Sequence, residues 1–248
     1  MLIALMADLH ANREAFAACL DHAERGGARR LVFLGDVVGY GADPEWVVET
    51  VMGLVSRRGA VAVLGNHDEA AAGRGRGGMN ATAEAALAWT RDRLSPEASA
   101  FLASLPLEAW DEDRLYVHAD ASDPGAWRYV AEPEDARRSL DATDAQTTFC
   151  GHTHTPRLFG ITAAAKLTAF TPVPGVPVPL LRPRQWLAVL GAVGQPRDGD
   201  PAACYGMLDT ERAELAWVRV PYDVDAAAEK IRAAGLPESL ALRLRRGR

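Results

Sequence analysis

Three short apolar runs, residues 2–7, 31–34 and 60–64, alternate with two helical patterns in the first third of the chain. The first helical pattern, Asn12–Arg25, gathers Phe16, Cys19, Leu20 and Ala23 on one side and stops at Gly26-Gly27. The second begins near Pro44, with Trp46, Val47, Val51, Leu54 and Val55 as its apolar face. Strands without polar alternation, separated by helices, predict a parallel sheet covered on both faces. With right-handed crossovers, the carboxyl ends of successive strands lie side by side, and open α/β sheets bind ligands along that edge.

The texture then changes. Gly73–Gly78 is a glycine-arginine loop, and Asn80–Leu94 and Pro96–Leu105 read as two helices. Leu115–Val117 reads as a strand, Pro133–Leu140 as a helix and Thr147–Cys150 as another strand. Five strand-like stretches follow at 157–161, 166–171, 186–190, 203–208 and 213–220, expected to form a second, more antiparallel sheet. Residues 224–246 read as a short helical hairpin around Pro237. With no internal repeat and no linker in the pattern, the expectation is a single domain over 1–248, with a helical insertion at about 73–110.

Composition narrows the class. The net charge of −6 argues against a broad basic face for nucleic acid. Cys19, Cys150 and Cys204 are odd in number, far apart and without a CxxC pair, which fits a reducing compartment. No stretch approaches the roughly 18 apolar residues that span a bilayer. The expectation is a cytoplasmic protein with no membrane contact.

Five of the six histidines, His10, His67, His118, His152 and His154, lie just past an expected strand; His22 alone sits within a helix. Asp8, Asp36 and Asn66 follow the first three strands in the same way. Asp8-Leu9-His10, Gly35-Asp36 and Gly65-Asn66-His67-Asp68 therefore converge on one sheet edge, with His118 and Gly151-His152-Thr153-His154 available to close the site.

This ordered set (DxH, GD with a later glycine at Gly39, GNHD, a lone histidine, then GHTH) resembles the calcineurin-like metallophosphoesterase superfamily. The similarity extends to Gly39–Pro44, Trp89-Thr90-Arg91 with Leu94-Ser95-Pro96, and Val193–Asp198, as in a compact bacterial branch. The resemblance implies a four-layer αββα sandwich, two mixed β-sheets face to face with helices outside. It implies two divalent cations, of Mn, Fe, Zn, Ni or Co, a donor set that suits borderline ions. One would be held by Asp8, His10, Asp36 and His154, and the other by Asp36, Asn66, His118 and His152. Hydrolysis of phosphomonoesters or phosphodiesters by an activated hydroxide would follow at a centre whose net positive charge attracts phosphate. His67 would protonate the leaving oxygen, with Asp68 either orienting its ring or serving as a loop cap.

Some positions depart from that branch. Ala11 stands where glycine is usual, Ala119-Asp120 brings an acid next to His118, and Leu190–Gly194 is less polar than expected. Arg157, Arg197 and Tyr40 are candidate substrate contacts, and Trp127 a candidate stacking residue. A phosphorylated small molecule, nucleotide-like, is favoured as substrate. The rivals are a nuclease, which would need a long basic groove, and a non-catalytic scaffold, which would have no use for His67.

Overall fold

The computed structural model describes residues 1–75 and 78–248, so Arg76 and Gly77 of the glycine-arginine loop lie outside the described residues. The chain opens with β1 (Leu2–Met6), α1 (Arg13–Arg25), β2 (Arg30–Phe33), α2 (Pro44–Arg58) and β3 (Val61–Ala62). Asn12 caps α1 by accepting from the Ala15 amide, and Pro44 opens α2, where no amide donor is needed. Three helices follow: α3 (Asn66–Ala71), α4 (Ala81–Arg91) and α5 (Pro96–Ser104). Then come β4 (Glu108–Asp111), β5 (Arg114–Val117), α6 (Pro133–Asp141), β6 (Thr147–Cys150), β7 (Arg157–Thr162), β8 (Leu167–Phe170), β9 (Val178–Pro179) and β10 (Arg184–Val189). The chain closes with β11 (Ala203–Asp209), β12 (Glu214–Val220), α7 (Val224–Ala233) and α8 (Glu238–Arg246).

The strands form two mixed six-stranded sheets, ordered β3-β2-β1-β11-β12-β9 and β4-β5-β6-β10-β7-β8. The period-two alternation of β-strands sorts their side chains into layers. Ile3 and Leu5 of β1 join Tyr116, Phe149, Trp186 and Trp217 in the core between the sheets. Ala4 and Met6 face the other way, onto Phe16 of α1 and Val47, Val48 and Val51 of α2. The second sheet turns Leu115, Phe159 and Leu187 outward onto Ala136 and Leu140 of α6. Helix, sheet, sheet, helix is the four-layer αββα sandwich expected.

Two sequence expectations are corrected. The first sheet is not parallel throughout: it is mixed, with helices on its outer face and the second sheet on its inner face. The late strands do not form a sheet of their own. β11 pairs antiparallel with β1 and carries β12 into the first sheet, while β10 inserts parallel to β6 and antiparallel to β7 in the second. Within 73–110, α4 and α5 are the helices, and the edge strand β4 follows them.

Candidate metal centre

β1, β2 and β3 run parallel, so their exits meet at one edge, and the main chain continues to pair beyond the strands. Asp8 N donates to Gly35 O (3.1 Å), His10 N to Asp36 O (2.9 Å) and Ala11 N to Val37 O (2.9 Å). Gly194 N donates to Asp8 O at 2.8 Å, bringing in the loop after β10. These bonds hold a strained path. Asp8, His10, Asp36, His152 and His154, five of the seven candidate ligands, have φ between 47° and 62°. A non-glycine residue there costs on the order of 1–3 kcal/mol, and such strain clusters where function demands it. Ala11 has φ 51°, so the alanine occupies a conformation that glycine adopts without cost. Space is also short: a Cβ on Gly65 would lie 2.1 Å from the Asp36 amide nitrogen.

The side chains form two groups sharing Asp36: Asp8, His10, Asp36 and His154, and Asp36, His118 and His152. Asn66 joins the second, its Oδ1 3.2 Å from His118 Nε2. Each histidine donates one ring N–H to a backbone carbonyl. His10 Nδ1 pairs with Val38 O (3.1 Å), His118 Nδ1 with Leu34 O (2.7 Å), His154 Nδ1 with Gln195 O (2.6 Å) and His152 Nε2 with Trp127 O (2.9 Å). The other nitrogens are aimed inward in pairs, His10 Nε2 to His154 Nε2 and His118 Nε2 to His152 Nδ1, both at 3.1 Å. Carboxylate oxygens crowd the same points: Asp8 Oδ1 is 3.2 Å from His154 Nε2, and Asp36 Oδ2 is 3.4 Å from His118 Nε2. With the outer nitrogens fixed as donors, each inward nitrogen offers a lone pair to a cation once it gives up any proton it holds, and with the carboxylates these nitrogens form the donor set a cation requires.

Burial and charge act together here. Burial opposes ionisation of Asp36, yet His118, His67 and His10 hold its carboxyl well below the usual carboxylate range. Burial lowers His10 well below the ordinary imidazole value and His152 to about 3. Burial also works against charge on His118, but Asp36 beside it lifts the imidazole to about 9.

His67 stands at the rim, 4% exposed, its ring centre 5.0 Å from that of His10 and 4.5 Å from that of Tyr40. Its backbone N–H donates to Asp36 Oδ1 at 2.8 Å, and its buried Nδ1 has no hydrogen-bond partner among the described residues. Asp68 does not orient that ring. Its two oxygens accept from Val38 N and Gly65 N, both at 3.1 Å, which makes it the cap that starts α3. Burial first, then Asp36, pushes its carboxyl up to about 7.

A cleft of about 460 Å³ opens beside these residues, lined by Asp36, Asn66, His67, His152 and His154 together with further residues of α3 and α4. Tyr40, Arg197, Trp127 and Tyr129 complete the wall. Arg157 is not part of it: its guanidinium donates to Thr171 on an exposed face, because β7 carries it away from the edge. Asp120 is also turned aside, fully buried and paired with Arg138 Nε of α6 at 2.5 Å, so it adds no free charge to the cleft. His22, in α1, lies apart from this site and bonds Tyr205 Oη at 2.8 Å. The main-chain carbonyls of Leu34, Val38, Trp127 and Gln195 have no sequence signal, since any residue type supplies one. Tyr129, stacked on His152 at 4.3 Å and 13°, had none either.

The model of the calcineurin-like phosphoesterase superfamily domain matches residues 1–213. An uncharacterized protein of Methanocaldococcus jannaschii is 33% identical over 252 residues, covering all of this chain and 98% of the relative. The crystal structure of a metallophosphoesterase from Sphaerobacter thermophilus superposes with a TM-score of 0.87 at 34% identity, over 100% of this chain and 99% of that one. A hypothetical protein of Pyrococcus horikoshii shares the fold, with a TM-score of 0.78 at 18% identity over 100% and 98% of the two chains.

Proposed function

This chain belongs to the calcineurin-like phosphoesterase superfamily, hydrolases of phosphate ester bonds, and from that premise we propose that it cleaves small, nucleotide-like phosphomonoesters or phosphodiesters at a dinuclear metal centre. Asp8, His10, Asp36 and His154 would hold one ion, and Asp36, Asn66, His118 and His152 the other. The observation that carries this is the pair of 3.1 Å contacts between inward-facing imidazole nitrogens whose opposite nitrogens are already committed to carbonyls. Mixed carboxylate, amide and imidazole donors favour Mn²⁺, Fe²⁺, Zn²⁺, Ni²⁺ or Co²⁺. When bound, such a pair supplies Lewis-acid stabilisation of a phosphoryl group and lowers the pKa of water.

The chain's own groups do the rest. Asp36 keeps its negative charge and offers oxygens to both groups of donors. His67, at the cleft wall, is the group that would give a proton to the leaving oxygen, and its Nδ1 has no other hydrogen-bond partner among the described residues. Arg197, whose guanidinium is 5.8 Å from the Tyr40 ring centre and donates to Gln195 Oε1 at 3.1 Å, would meet a phosphate oxygen. Tyr40 forms the adjoining wall. Among the described residues no helix is long and apolar enough to cross a membrane. The three buried free cysteines support a reducing, cytoplasmic setting.

The test is a panel of an aryl phosphate, an aryl phosphodiester and nucleotide esters with added Mn²⁺. Metal-dependent turnover of at least one small ester is expected. A folded, metal-loaded protein that cleaves none of them, or that cleaves only polymeric nucleic acid in a salt-dependent manner, overturns the reading.

A further inference from the structure

His152 is held from three directions. Its backbone N–H donates to Asp8 Oδ2 (3.0 Å), its ring face lies on Tyr129, and its Nε2 donates to the carbonyl of Trp127. Two of these supports come from the segment just after the short 3-10 turn at Pro124–Ala126. Trp127 itself has φ 54°, a left-handed conformation that a bulky residue does not take without outside support. That support is visible: the indole Nε1 donates to Glu69 Oε2 at 2.9 Å, and the ring meets His118 edge-on at 5.8 Å. Glu69 lies in α3, three residues after Asn66, which is a member of the same ligand group as His152 and His118.

We propose that the Glu69–Trp127 hydrogen bond is a clasp that positions His152 and completes the second cation site. It rests on the dinuclear reading and adds residues that touch neither the ions nor the substrate's reacting atoms. The clasp joins the elements that contribute to that site, α3 with Asn66 and the 127–129 segment with the carbonyl that orients His152. The other group of donors draws its support elsewhere. His10 Nδ1 is fixed by Val38 O and His154 Nδ1 by Gln195 O, carbonyls outside the 127–129 segment. Breaking the clasp therefore loosens one ion and spares its neighbour. Glu69 and Trp127 are positioning residues.

The test is titration of the metal-stripped full-length protein with Mn²⁺, following bound and spin-coupled ions by electron paramagnetic resonance, in wild type, Glu69→Gln, Glu69→Ala and Trp127→Phe. Wild type binds two ions with a coupled signal; fewer than two would overturn the dinuclear reading, and the clasp with it. Glu69→Gln keeps an acceptor oxygen and the two-ion signature. Glu69→Ala and Trp127→Phe keep the first ion and bind the second about 10- to 100-fold more weakly, the range for loss of an outer support of a ligand. Wild-type affinity for the second ion in both variants, or equal weakening of both ions, overturns the clasp. Should Glu69→Ala fail to fold, Trp127→Phe decides alone, since it keeps an aromatic ring at the position facing His118 and removes the indole N–H together with part of the ring.

Discussion

His10 and His154 point Nε2 at each other across 3.1 Å, while Nδ1 of each donates to a main-chain carbonyl. A neutral imidazole that donates from Nδ1 carries a lone pair on Nε2, so in that form the contact sets two lone pairs face to face beside the carboxylates of Asp8 and Asp36. Left to themselves these groups repel, and a cation between them turns the repulsion into ligation. The backbone strain at Asp8, His10 and Asp36 is consistent with that reading, since it is spent on aiming donors rather than on packing.

His67→Ala should bind both ions and lose turnover by about 10²–10⁴-fold on esters with poor leaving groups. The loss should shrink for aryl esters, whose leaving oxygen needs little protonation. Steady-state rates across a series of leaving groups check this; an equal loss on all of them would assign His67 to substrate binding instead.

Asp68→Asn tests the cap. The amide keeps one acceptor oxygen for the Val38 and Gly65 amides and loses the other, leaving one buried N–H unpaired. Thermal or urea unfolding should show a loss of about 1–3 kcal/mol. The leaving-group dependence should stay as in wild type, because among the described residues no hydrogen bond links Asp68 to the His67 ring. A variant with unchanged stability and His67→Ala-like kinetics would reverse the assignment.

Much of this was legible beforehand, and the reasons are physical. Apolar runs closed by a polar residue mark buried strands and their exits, so the pattern alone brings Asp8, Asp36 and Asn66 to one sheet edge. Which strands pair was not legible. β11 lies beside β1 although about 200 residues separate them, and nothing local in Ala203–Asp209 distinguishes that partner from β10. Asp68 offered two readings from one sequence, and only the positions of Val38 N and Gly65 N chose between them. Arg157 follows the GHTH motif closely, yet entering a strand turned it away within three residues.

Asp111 ties the two sheets at the end of the sandwich, its Oδ2 2.9 Å from Arg30 Nη1 of β2 and 3.2 Å from Arg114 Nη2 of β5. Burial opposes the charge, but bonds from Arg114 and Arg30 hold the Asp111 carboxyl below its ordinary value. A carboxyl lowered in the folded state stabilises fully above its unfolded pKa of about 3.9 and loses that contribution as pH falls through the folded value. Asp111→Asn should therefore lower stability at neutral pH and flatten the acid limb of a stability–pH curve. Parallel curves for variant and wild type would show that the pair contributes nothing.

The most direct measurement is anomalous diffraction from crystals grown with Mn²⁺. The account predicts two peaks, one between His10 Nε2 and His154 Nε2 and one between His118 Nε2 and His152 Nδ1, with Asp36 reaching both. Crystals saturated with the ion that show no peak at either point would contradict it.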